Sequence, residues 1–124
     1  MANIYEDGFI TGAAAAIAAL GNRIGLYLST GVRVGTVYAD TTWGSPALSG
    51  SGGARMATVT GSEVTINVTG GLLSNGAQIT HYGILSGTTL LRKIDLEPVS
   101  LTVNDGAQAF PVRVTPKLEF NPTE

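Results

Sequence analysis

The chain has 124 residues, 44% of them hydrophobic and only 13% charged, with a net charge of −2 and no cysteine. That length is one ordinary domain whose core is large enough to fold without a metal or a disulfide. Weak charge of mixed sign excludes the basic stripe that nucleic-acid binding needs, and the missing cysteines exclude disulfides, thiolate metal sites and thiol catalysis.

Residues 1–8 are expected to form an N-terminal arm and residues 9–20 a helix, with Asp7 as the N-cap and Thr11 as the competing choice. Alanine is the best helix former, so the run Ala13–Ala19 favours helix. Phe9, Ala13, Ala16, Ile17 and Leu20 fall at helical spacing and are expected to make the buried face. Gly21-Asn22 is the expected stop, because both residues tolerate the left-handed conformation. The stretch GAAAAIAALG also has the look of a targeting segment, but Glu6 and Asp7 precede it and the first basic residue is Arg23. It is also shorter than the ~20 residues that span a bilayer, so it is read as a structural helix with no membrane role.

After Arg23 the pattern becomes that of strands, at 24–30, 32–39, 54–60, 63–70, 77–85, 89–96, 99–103 and 109–120. Val64, Ile66 and Val68 alternate with polar residues, as do Val99, Leu101 and Val103, so each such strand has one wet face. Turn residues separate the runs, among them Thr30-Gly31, Ser86-Gly87 and Asn104-Asp105-Gly106. Pro98 and Pro111 mark edge strands or crossing points between sheets. The expected fold is mainly β: an antiparallel β-sandwich, jelly-roll or immunoglobulin-like, with about seven or eight strands and one short N-terminal helix. It occupies residues 9–120, and residues 121–124 are a tail. Residues 41–55, TTWGSPALSGSGGAR, are expected to be a long mobile loop. Trp43 within it either plugs the end of its own sandwich or touches a partner.

A search for chemistry finds none. His81 is the single histidine, no G-x-S-x-G elbow accompanies it, and no H-E-x-x-H or calcium-loop spacing is present. NDGAQ (104–108) opens like a calcium loop but lacks the acids that should follow, so it is a turn. Asp95 and Glu97 share a strand face without an aromatic sugar platform, GSGG lacks the lysine of a phosphate loop, and Asn67 lies in a chance glycosylation triplet. In the strand 77–85, Ile79, His81, Gly83 and Leu85 point one way and Thr80, Tyr82 and Ile84 the other, so both faces are largely apolar. His81 is therefore expected to be a hydrogen-bonded structural residue of a twice-covered central strand.

The order of segments carries a resemblance. An Ala-rich helix runs into RIGLYLSTG, a Gly/Ser loop with one Trp follows, then ITHYGILSGTTLLRKIDL, then LTVNDGAQAFPVRVTPKLEF. Over roughly residues 9–120 this resembles a family of small bacteriophage virion proteins, common in phages of actinobacteria. The matching positions are Ile79, Thr80, His81, Tyr82, Gly83 and Ile84, then Gly87, Leu90 and Leu91, then Asp105, Gly106 and Phe110. Tyr82 stands where the family has a small aliphatic residue, and the loop after the first strand is shorter.

The resemblance implies a non-enzymatic structural protein of the virion, without catalytic residues, cofactor or metal. The expected role is a capsid decoration (minor capsid) protein that binds the major capsid protein as a symmetric dimer or trimer. A minor tail or tail-tip protein is the rival within that class, and a carbohydrate-binding β-sandwich for surface attachment is the rival outside it. Expected partner contacts are Ile4 and Tyr5 in the arm, Phe9 and Ile10 at the helix start, and Trp43 in the loop.

Overall fold

Residues 7–18 contain one charged side chain and five alanines, and in the computed structural model, which describes residues 6–51, 55–96 and 100–122, they form the helix α1 (Asp7–Ala18). The apolar character extends nearly all round, so helical spacing alone leaves its rotation open. The buried residues are Ile10, Ala14 and Ala18, one residue away from the expected face, and Phe9 and Leu20 are 55% and 61% exposed. The rotation follows the surface α1 meets, the strands Met56–Thr60 and Lys117–Phe120, and an exposed ion pair accompanies it. Asp7 lies one turn before Ile10 on the same face, and its carboxylate accepts two hydrogen bonds from the Arg55 guanidinium, at 3.1 and 2.9 Å. Asp7 is thus spent on Arg55, and the N-cap, Glu6, makes no side-chain capping bond. The helix ends at Ala18, ahead of the expected stop. Gly21 is needed for a different reason: a Cβ there would strike the backbone carbonyl of Leu85.

Among the described residues ten strands follow: β1 (Arg23–Leu28), β2 (Arg33–Asp40), β3 (Ala47–Ser49), β4 (Met56–Thr60), β5 (Val64–Val68), β6 (Gln78–Ser86), β7 (Thr89–Asp95), β8 (Leu101–Thr102), β9 (Phe110–Val114) and β10 (Lys117–Phe120). The fold is mainly β and antiparallel, as expected, and β-sandwich-like. Two differences raise the strand number. The segment expected as a loop contributes β3, which pairs with β4, and Trp43 forms a bridge with Gly61. The last expected strand is divided by buried Pro116, which has no N–H for a ladder, into β9 and β10 on different sheets. Pro111 pairs with Asn67 inside β9, which has β5 on one side only, so its missing donor costs no ladder bond. Glu97, Pro98 and Val99 lie outside the described residues.

The largest sheet runs β2-β1-β6-β7, with β8 pairing the far end of β6; β10-β4-β3 and β5-β9 are the smaller sheets. β5 lies against β2, so the layers curl toward each other. One continuous cluster fills the interior, from Ile24, Leu26, Tyr82 and Ile84 of the large sheet to Ala57, Val59, Ile66, Val112 and Leu118 of the small ones, closed by Ile10 and Ala14 of α1. The alternation foreseen for β5 is seen as buried Val64, Ile66 and Val68 between exposed Thr65 and Asn67. Each such aliphatic side chain contributes about 1.5–3 kcal/mol on burial.

Candidate functional site

Of the expected partner contacts, Ile4 and Tyr5 lie outside the described residues. Phe9 is on the outer side of α1. Ile10 is 1% exposed and belongs to the core, which corrects its expected place on a contact surface. The packing of α1 on β4 and β10 turns it inward. Trp43 is half-buried, packs against the core, and donates its indole N–H to the Gly21 carbonyl at 2.9 Å. It therefore plugs its own fold, tying the loop after β2 to the end of α1. Beside it, buried Thr41 donates to the Ser62 carbonyl at 2.8 Å, so this end of the molecule is held by polar contacts.

His81 lies where β6 departs from regular pairing. Tyr27 pairs with His81 and Leu28 with Ile79, so Thr80 is left as the extra residue of a bulge. That bend lets two neighbouring side chains meet: Thr80 Oγ1 is 2.7 Å from His81 Nδ1. On its other side His81 Nε2 is 2.8 Å from Asp95 Oδ1 of β7. A carboxylate only accepts, so Nε2 carries a proton toward Asp95, and in the neutral imidazole Nδ1 accepts from the threonine hydroxyl. Hydroxyl, imidazole and carboxylate in series are the order of a nucleophile relay. Thr80, however, is flanked by Ile79 and His81 in mid-strand, without the glycine-lined elbow that presents such a nucleophile to a substrate. The Nε2–Asp95 bond fastens β6 to β7, and Nδ1 is occupied by Thr80 within β6.

The outer face of the large sheet is covered by its own side chains. Gly25 and Gly83 are cross-strand partners at its centre. A Cβ at Gly83 would meet the Tyr27 ring at 2.5 Å and Leu90 at 2.8 Å, and one at Gly25 would meet the Tyr38 ring at 3.3 Å. The two rings lie over the two glycines. Lys93 Nζ lies 4.8 Å from the Tyr27 ring centre, and Arg23 and Arg33 lie 5.2 and 5.5 Å from that of Tyr38. β6 is thus covered on both faces as expected, but on the outer side by tyrosines of the same sheet. These rings are closed off by cations and form no open aromatic platform for a sugar. Phe9 is the one large aromatic side chain counted as exposed among the described residues.

One sheet edge lies at β7. Six of its seven residues, Thr89 to Lys93 and Asp95, are exposed, and among the described residues it pairs only with β6. Leu90 and Leu91 add exposed apolar area at the hairpin end. Beside this edge lies an open groove of about 870 Å³ whose walls include Arg92, Asp95, Glu63, Arg113, Lys117 and Glu119. Cations and acids alternate there, so the groove has no strong sign. A signal for this edge was present in the sequence: TLLRKID lacks the alternation of a half-buried strand and carries two adjacent cations, as strand edges often do.

Among the described residues no three His, Asp or Glu side chains come together as a metal cage. Among the described residues no helix is long and apolar enough to cross a membrane. Comparison with protein-family models, with curated proteins and with solved structures gives no match to this chain.

Proposed function

We propose that the chain is a non-enzymatic structural component of a bacteriophage virion, a capsid decoration (minor capsid) protein that binds and stabilises the outer shell as a symmetric homo-oligomer. The observation that carries this reading is the hairpin β6–β7. It holds the segment that resembles phage virion proteins, from Ile79 through Leu91, and its second strand is an exposed sheet edge. An open edge with exposed leucines suits packing in a repeating array, because backbone groups along an edge recruit another chain. His81 serves this role as a fastener of that edge, with no part in a reaction. The major capsid protein is the expected partner. A place in the tail would use the same surfaces, and the assay separates the two.

The test mixes the purified chain with capsids and with tails of its source phage, each lacking the protein. Saturable binding to capsids at a copy number fitting the shell symmetry is expected. Binding to tails alone, or to neither, overturns the reading.

A further inference from the structure

We propose that β7 is a self-pairing edge: two copies join antiparallel through residues 92–96, with Ile94 at the two-fold axis and Lys93 of each copy opposite Asp95 of the other. The inference is drawn from this chain alone and does not rest on the virion reading.

Backbone polarity limits how the edge can pair. The Leu96 amide donates to the Thr80 carbonyl of β6 at 2.9 Å. Amides alternate in direction along a strand, so those of Arg92 and Ile94 also point to β6, and Lys93 and Asp95 present their N–H and C=O groups outward. The next residue toward the hairpin is a bulge: Ile84 pairs with Arg92 and Leu85 with Leu90, which leaves Leu91 out of register. The pairable stretch is therefore short and begins at Arg92. An antiparallel partner must bring its own outward-facing residues opposite Lys93 and Asp95. For a second copy three registers within this stretch do so. Centring on Lys93 sets lysine against lysine, and centring on Asp95 sets aspartate against aspartate. Centring on Ile94 sets Lys93 against Asp95 twice.

Charge selects the third register, since like charges directly opposite destabilise a strand pair and unlike charges stabilise it. The side chains agree with it. Lys93 and Asp95 both stand on the outer face, one over Tyr27 and the other on His81. Joining the copies continues the row Tyr27–His81–Asp95 of one copy into Lys93 and the Gly83–Gly25 pair of the second. On the inner face Ile94 of the two copies would meet, extending the core. Asp95 is available for this, since its side chain is 83% exposed despite its bond to His81. The interface is isologous, so it closes on itself as a dimer and leaves no further β7 edge open.

The test is a charge exchange followed by sedimentation equilibrium of the full chain from about micromolar to about millimolar concentration. Wild type is expected to be a dimer at the upper end. K93D and D95K, each placing like charges opposite each other twice, are expected to weaken dimerisation about ten- to hundredfold. The double variant K93D/D95K restores both opposed pairs and is expected to recover dimerisation. Each single change also removes contacts within the chain, to Tyr27 and the Gly31 carbonyl or to His81, and the double variant removes all of them. Damage to the monomer would therefore make the double variant the worst of the three, and only pairing between copies makes it better. As a measurement without mutation, amide exchange at Lys93 and Asp95 is expected to slow with rising concentration. A monomer throughout the range, an assembly indifferent to K93D, a double variant that fails to recover, or unchanged exchange at these two amides would each overturn the proposal.

Discussion

Tyr82→Phe removes one oxygen from the seam between two sheets. Tyr82 is 5% exposed on β6, and its hydroxyl accepts the Lys117 amide at 2.9 Å and faces the Lys117 carbonyl at 3.4 Å. Lys117 opens β10, just after Pro116, so this contact joins the large sheet to the sheet that carries α1. Phenylalanine keeps the ring and its packing, and what is lost is the partner of a part-buried backbone N–H. Leaving such a donor unpaired costs about 1–3 kcal/mol, and partial access of water places this case near 1–2. Unfolding entropy near ~2.1 cal/mol/K per residue gives about 0.26 kcal/mol/K for 124 residues, so the midpoint should fall by about 4–8 °C. Calorimetry of the two proteins side by side measures this, and urea titration should show a lower midpoint with an unchanged slope. A fall of less than about 1 °C would refute the assignment of this hydroxyl as a tie between sheets.

Two further outcomes follow from the geometry. Ile10→Ala should lower stability by about 2–5 kcal/mol, as a core truncation does, while Phe9→Ala should cost well under half of that; equal effects in urea titration would contradict the observed helix rotation. Gly83→Ala should displace the Tyr27 ring and cost about 1–3 kcal/mol through overpacking, visible as a changed Tyr27 ring resonance; an unmoved ring with unchanged stability would show that the outer face is loosely packed.

Strand positions were legible because local chemistry alone sets them. Val64, Ile66 and Val68 alternate, and Gly31 and Gly87 occupy positive-φ turn positions that mark where strands stop. The face of α1 was not legible, since Phe9/Ala13/Ala16 and Ile10/Ala14/Ala18 have nearly the same apolar content. The decision comes from the surface that α1 meets, β4 and β10, which lies far away in sequence. β3 was hidden for a related reason. Its three residues sit in a Ser/Gly context with no intrinsic strand preference, and β4 supplies the pairing. His81 was placed on a covered strand, but its bond to Asp95 needed the register of β6 on β7, which no single segment encodes.

The pairing of β1 with β6 also governs how the chain reaches this state. Ile24 finds its cross-strand neighbour at Ile84, and α1 rests on β4 and β10 near the other end of the sequence. Little of the core can close until most of the chain has been brought together, so loop-closure entropy must be overcome before non-local contacts stabilise anything. Folding is then expected on the millisecond-to-second scale of high-contact-order β proteins, with apolar strands unpaired in the interval. That interval sets how fast synthesis can run before strands meet the wrong chain.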